Sequence, residues 1–287
     1  MNLTDIDVIR DVLNRNGFRF SKSLGQNFLT AAWVPERIAE AAGLDGDTGV
    51  LEVGPGIGCL TAELSKRAGK VLSVELDKKL MPVLAETLSG CENVEVLFGD
   101  VLRQDLETLV RDTFPGLRAV VCANLPYNVT SPVLTKLLEA RCFEEITVMV
   151  QREVAKRICA EPGTADYSAF SVLCAWHCER EILFDVPPDC FVPRPKVTSS
   201  VIRLTRRKAR PAEVKDDGLF FRTVRAAFGQ RRKTLANALA AGFTEISKSD
   251  VEDVIRACGL PPTVRGETLE INDFAQISDG IWGLAGY

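Results

Sequence analysis

The chain has 287 residues, 46% of them hydrophobic and 26% charged. That is enough for one large domain, or a medium and a small one, with a sizeable core, and it excludes a disordered chain. The net charge of −4 argues at first against a nucleic-acid partner.

The opening segment carries Asp5, Asp7, Arg10 and Asp11 and has no basic n-region or apolar h-region of a signal peptide. No apolar run is long enough to span a bilayer, so a cytoplasmic protein is expected. Val50–Val53 is a short apolar run that ends in Gly54-Pro55-Gly56-Ile57-Gly58, and an amphipathic stretch follows over Cys59–Arg67. That pattern predicts strand, glycine turn, helix. Val71–Glu75 predicts a second strand and Asp77–Leu88 a helix. Val94–Phe98 predicts a third strand, ending at Gly99-Asp100, and Ala119–Ala123 a fourth, ending at Asn124-Leu125-Pro126-Tyr127. Ser131–Ala140 reads as a helix, Ile146–Val150 as a fifth strand and Ser199–Leu204 as a later one. Strands alternating with helices predict an α/β fold, a parallel sheet covered on both faces. After Arg210-Pro211 the texture changes: Phe220–Phe228, Arg231–Ala241 and Val251–Ala257 all read as helices.

Nine cysteines, an odd number scattered mostly through apolar stretches, read as reduced thiols of a reducing compartment. Cys174, His177 and Cys178 look like a zinc fragment, but no second cysteine pair has ligand spacing and His177 is the only histidine. No metal site is expected. From Lys196 to Lys233 there are twelve basic residues against three acidic ones. Such a stretch suits either a phosphate-binding surface or a solvated helix face.

In an open parallel sheet, ligands sit beyond the carboxyl ends of the strands. Gly54 and Gly56 allow a sharp turn and a close approach to a ligand. Glu75 ends the second strand about 20 residues later, where a carboxylate can accept both ribose hydroxyls. Asp100, at the end of the third, can accept from an adenine amino group. The spacing is Gly-x-Gly-x-Gly, without the dinucleotide pattern that places a pyrophosphate on a helix N-terminus. S-adenosylmethionine, an adenosine without phosphate, suits it better, although a tight strand–helix connection accounts for the glycines alone. Beside that cleft, the Asn124 side-chain oxygen and a backbone carbonyl next to the proline can accept from adenine N6 and favour a pyramidal nitrogen. Tyr127 can stack on a base drawn out of its helix; an ordinary Asn-Leu-Pro turn with a packed tyrosine is the plainer alternative.

At these residues the chain resembles the KsgA-type family of small-subunit ribosomal RNA adenine N6,N6-dimethyltransferases, over nearly its whole length. The resemblance runs through Ser23-Leu24-Gly25-Gln26-Asn27-Phe28-Leu29 and Glu52 to Gly58. It continues through Asn124 to Asn128, Met149 to Ala155, Val186 to Val197 and Phe228 to Asn237. It implies a Rossmann-like class I methyltransferase domain with a mainly parallel sheet over residues 1–209. A small C-terminal α-helical RNA-binding domain would occupy 210–287. The cofactor would be S-adenosyl-L-methionine, bound by Gln26, Asn27, Leu29, Gly54, Pro55, Gly56, Glu75, Leu76, Asp100, Val101 and Asn124. Asn27 and Leu29 would close over its methionine part. The catalytic group would be Asn124, Leu125, Pro126 and Tyr127, with Phe191 stacking on the other face of the adenine.

The family's product is N6,N6-dimethyladenosine at two adjacent adenines near the 3′ end of 16S rRNA in a small-subunit precursor. RNA would be held by Arg194, Lys196, Arg225, Arg231, Arg232 and Lys233, and the protein is expected to act as a monomer. Pro187, Pro188, Pro193 and Pro195 would stiffen the loop that bears Phe191. The competing readings are an Erm-type enzyme acting on 23S rRNA, a DNA adenine methyltransferase (which carries Asp-Pro-Pro-Tyr), and an inactive RNA-binding assembly factor. Intact Glu75, Asp100 and Asn124 argue against the last.

Overall fold

The computed structural model describes residues 1–18 and 26–285. Ser23, Leu24 and Gly25 of the first motif lie outside the described residues. Nine strands are present among the described residues: β1 (Phe28–Leu29), β2 (Thr48–Val53), β3 (Lys70–Glu75), β4 (Val94–Phe98), β5 (Arg118–Asn124), β6 (Glu145–Gln151), β7 (Cys178–Val186), β8 (Phe191–Val192) and β9 (Ser199–Arg206). Seven of them form one sheet in the order β4-β3-β2-β5-β6-β9-β7, while β1 and β8 pair separately. The pairs among β2 to β6 are parallel, and β9 runs antiparallel to β6. Every residue of β2 is buried, as expected of a strand covered on both faces.

The chain divides into two compact units. The first comprises Met1–Ala155 and Arg180–Arg206, the second Lys156–Glu179 and Arg207–Tyr287. The sequence places the division at 209/210. The second unit begins at Arg207 and also takes in Lys156–Glu179, for a reason visible in its core. Tyr167, Val172 and Trp176 are buried with Phe220, Leu239, Phe243 and Phe274, and the Trp176 and Phe220 rings stand 4.2 Å apart. Five of its helices are Ala169–His177, Asp217–Gly229, Leu235–Gly242, Lys248–Ala257 and Ile271–Ala285. Asp216 caps the second of these, accepting from Leu219 N at 2.6 Å.

The helix expected over Arg231–Ala241 starts only at Leu235. The preceding helix ends at Gly229, where Gln230 leaves helical geometry (φ −135°, ψ 67°), so Arg231, Arg232 and Lys233 occupy the turn between two helices. The helix expected over Asp77–Leu88 is a 3-10 turn followed by Met81–Thr87. No helix among the described residues is long and apolar enough to cross a membrane.

Candidate active site

The carboxyl ends of β2, β3 and β5 open on a cavity of about 210 Å³. The turn after β2 is possible only with glycine. Gly54, Gly56 and Gly58 have φ of +72°, +60° and +90°, in the region that L side chains rarely adopt. A Cβ on Gly54 would meet Pro126 at 3.4 Å, and one on Gly56 would meet the Phe28 ring at 3.2 Å. The glycine turn therefore lies between the Asn124–Tyr127 loop and β1.

Gln26, Asn27 and Leu29 line the cavity on one side, and Gly54, Pro55 and Gly56 line it with Glu75, Leu76, Asp100 and Val101. Asn124, Leu125, Pro126 and Tyr127 complete the wall. Gln26 Nε2 donates to Asp77 Oδ2 at 3.1 Å. Glu75 is 6% exposed and accepts from Asp77 N at 2.7 Å. Burial pushes its carboxyl above the usual range, against hydrogen bonds from the backbone of Asp77, Gly56 and Leu76. The adjoining Leu76 is 56% exposed on the same wall. Asp100 Oδ1 accepts from Leu102 N at 2.9 Å, and Arg103 Nε stands 3.7 Å from Oδ2. A carboxylate has about four acceptor sites, so both acids keep capacity for a ligand.

Asn124 and the turn after it have a different character. The Leu125 amide donates to Met149 O at 3.1 Å, and the Pro126 carbonyl accepts from Val129 N at 3.2 Å and Thr130 Oγ1 at 3.1 Å. The Asn124 side-chain amide and the Leu125 carbonyl make no hydrogen bond to another described residue. Asn124 and Leu125, each with spare acceptor capacity, thus both line the cavity. Phe191 is placed elsewhere. It is 4% exposed and packs in the core with Leu29, Val34 and Ile38, because β8 pairs with β1 and turns the ring inward. It is not among the residues that line the cavity.

A model of the family described as ribosomal RNA adenine dimethylase matches residues 17–275. The chain belongs to this family. It is 44% identical over 279 residues to ribosomal RNA small subunit methyltransferase A of Geobacillus thermodenitrificans, covering 96% of this chain and 95% of the relative. It is 43% identical to the protein of the same name from Alkaliphilus oremlandii, covering 95% of each. Two solved structures are similar in fold. A dimethyladenosine transferase from Plasmodium falciparum has a TM-score of 0.72 at 25% identity, covering 87% of this chain and 95% of that one. The 23S rRNA methyltransferase ErmE has a TM-score of 0.66 at 29% identity, covering 88% and 98%. The fold is accordingly the Rossmann-like class I methyltransferase fold, with helices after it.

One residue of the cavity wall has no role assigned from the sequence. Glu52 lines the cavity and is 1% exposed. Its Oε2 accepts from Thr61 Oγ1 at 2.6 Å and Ser73 Oγ at 2.7 Å. Burial, reinforced by the Glu75 charge, pushes its carboxyl up to about 7 despite both hydroxyls. A charged residue within the otherwise apolar Val50–Val53, one residue before the glycine turn, is the available signal. Burial first, then the Glu52 charge, pushes the thiol of Cys59, on the same cavity wall, up to about 12.

The basic residues of the dimethylase separate into two groups. In the first unit, Arg203 pairs with Glu181 at 2.7 Å, and Arg206 donates to the Leu138 and Ala140 carbonyls at 2.7 and 2.9 Å. In the second, Arg207 donates to Ala175 O and Arg210 grips Asp217 through two bonds. There too Arg222 bonds Gly242 O and Glu245. Arg231, expected on RNA, donates to Ala165 O at 2.8 Å and Tyr167 O at 3.3 Å and stands 3.8 Å from Glu267. Its guanidinium is thus occupied within its own unit. Arg194, Lys196, Arg225, Arg232 and Lys233 are exposed.

Proposed function

We propose that the protein transfers methyl groups from S-adenosyl-L-methionine to N6 of two adjacent adenines near the 3′ end of 16S rRNA. The product is N6,N6-dimethyladenosine and the setting is maturation of the small ribosomal subunit. The observation that carries this reading is the meeting of Asn124 and Leu125, whose side-chain amide and carbonyl bond no other described residue, with the buried Glu75 in one cavity. The small-subunit target is supported by relatives at 42–44% identity over nearly the full chain, each named ribosomal RNA small subunit methyltransferase A.

The residues present fit the cofactor. A buried carboxylate suits a ribose diol, and the exposed Leu76 beside it offers an apolar face to a nucleoside base. Gly54 and Gly56 admit the ligand close to backbone. Glu75 would hold the ribose, Asp100 and Val101 the adenine, and Gln26, Asn27 and Leu29 would border the methionine part. Bound S-adenosylmethionine supplies an electrophilic methyl group on a sulfonium that leaves readily.

The protein's own task is then largely positioning. Adenine N6 is a weak nucleophile because its lone pair is delocalised into the ring. Asn124 Oδ1 and the Leu125 carbonyl accept its two hydrogens and favour the pyramidal nitrogen that attacks. The proton is lost easily once nitrogen is alkylated, so no strong general base is required. Tyr127 carries one face of the extruded base. Phe191 can serve the other face only if its ring leaves the core. The second unit would bind RNA, through Arg225, Arg232 and Lys233, with Arg194 and Lys196 of the first unit adding phosphate contacts. The protein would act as a cytoplasmic monomer.

The test is transfer of labelled methyl from S-adenosylmethionine to unmethylated small-subunit particles, with large-subunit particles as control. Two dimethyladenosines in small-subunit RNA are expected. Label confined to large-subunit RNA, or no label at all, refutes the proposal.

A further inference from the structure

Tyr127 is held at both ends. Its backbone is fixed by the turn after β5, where the Leu125 amide and the Pro126 carbonyl are both bonded. At the far end, its phenol oxygen lies 2.5 Å from Ser199 Oγ. Ser199 is fully buried and is the first residue of β9. It stands opposite Gln151 in the ladder, and the carbonyl of the preceding Thr198 accepts from Arg152 N at 3.0 Å. Successive strand residues face opposite sides. The next one, Ser200, turns the other way and donates to Asp185 Oδ1 at 2.6 Å.

Topology explains why a serine so far along the chain meets this tyrosine. β9 lies beyond β6 from β5 and runs antiparallel to β6. It therefore begins at the edge of the sheet where β5 and β6 end. A parallel strand would begin at the opposite edge, out of reach. Burial pushes the Tyr127 hydroxyl above its usual value, so it remains protonated at neutral pH and the bond persists. The phenol oxygen lies on the axis of the second tyrosine torsion, so a bond there restrains the first torsion, which swings the whole ring.

We propose that Ser199 is a positioning residue for methyl transfer, fixing where the Tyr127 ring, against which the target adenine is held, stands in the cavity. It acts through Tyr127 and touches no substrate. The proposal rests on the reading of Tyr127 as the residue that faces the adenine.

The experiment is single-turnover methyl transfer to unmethylated small-subunit particles at saturating cofactor, with cofactor affinity measured beside it. Ser199→Ala and Tyr127→Phe should each slow transfer by about three- to tenfold, the equivalent of one neutral hydrogen bond. Cofactor affinity should stay unchanged. The double variant should be no slower than the slower single, because both remove the same bond. Multiplying effects in the double variant, or a loss of cofactor affinity that tracks the loss of rate, would assign Ser199 a merely structural role and overturn the proposal. Should Ser199→Ala fail to fold, Tyr127→Phe removes the same bond from the less buried side, and a wild-type rate from it also overturns the proposal. Tyr127→Ala separates the two readings. A wild-type rate in that variant refutes the adenine-facing role of Tyr127 itself, and Ser199 falls with it. A slow Tyr127→Ala beside wild-type Ser199→Ala and Tyr127→Phe refutes the role of Ser199 alone.

Discussion

Glu52→Gln should stabilise the ligand-free protein at alkaline pH and have almost no effect in acid. In the folded state the Glu52 carboxyl titrates at about 7, against 4.5 for the free group. Its contribution to stability is fully present below about pH 4.5 and is lost as pH rises to about 7. That displacement corresponds to about 3 kcal/mol. Glutamine imitates the protonated acid, since its amide oxygen can still accept from Thr61 and Ser73. Denaturant unfolding at pH 5 and pH 8 is the assay. The variant should gain up to about 3 kcal/mol over the parent at pH 8 and differ little at pH 5. Equal stability of the two proteins at pH 8, or a variant weaker there than at pH 5, would show that Glu52 is not a buried acid with a raised pKa.

Three further outcomes are expected. Glu75→Ala should weaken S-adenosylmethionine binding by about ten- to a hundredfold in calorimetry while the fold persists; unchanged affinity removes Glu75 from the cofactor site. Asn124→Ala should abolish methyl transfer while particle binding, followed by sedimentation, is retained; turnover at the parent rate refutes its role as an acceptor. Changing Arg232 and Lys233 together to Glu should weaken particle binding and flatten its log–log salt slope by nearly one unit per lost phosphate contact. Arg231→Glu should instead lower the melting temperature, because its guanidinium holds the Ala165 and Tyr167 carbonyls; a destabilised double variant beside a stable Arg231→Glu would reverse that assignment.

What the sequence made legible follows from local physics. The glycine turn after β2 could be read because only glycine adopts its positive φ at Gly54, Gly56 and Gly58. The positions of Glu75, Asp100 and Asn124 could be read because each ends an apolar strand. The role of Glu52 is not legible in sequence because its partners come from other elements: Ser73 lies opposite it in register on β3, and Thr61 reaches it from the following helix. Counting charge between Lys196 and Lys233 could not distinguish free cations from those occupied within the fold. Arg206 and Arg231 are bonded to carbonyls more than 60 residues away in sequence. The compact units differ from a division at 209/210 because Lys156–Glu179 carries no break in composition, while its burial against Phe220 and Phe274 is a tertiary fact.

That segment has a consequence for synthesis. Tyr167 and Trp176 leave the ribosome well before Phe220, Phe243 and Phe274, the residues that cover them. The hydrogen bond from the Tyr167 hydroxyl to the Leu269 carbonyl spans 102 residues, so it must wait for almost all of the chain. Meanwhile β9, which completes one side of β6, is made after this apolar stretch and before its partners. A chain released at Arg206 would hold a nearly finished sheet and an uncovered pair of aromatic side chains. Truncation of the second unit at Arg207 would turn those side chains into a site for chaperone capture or aggregation.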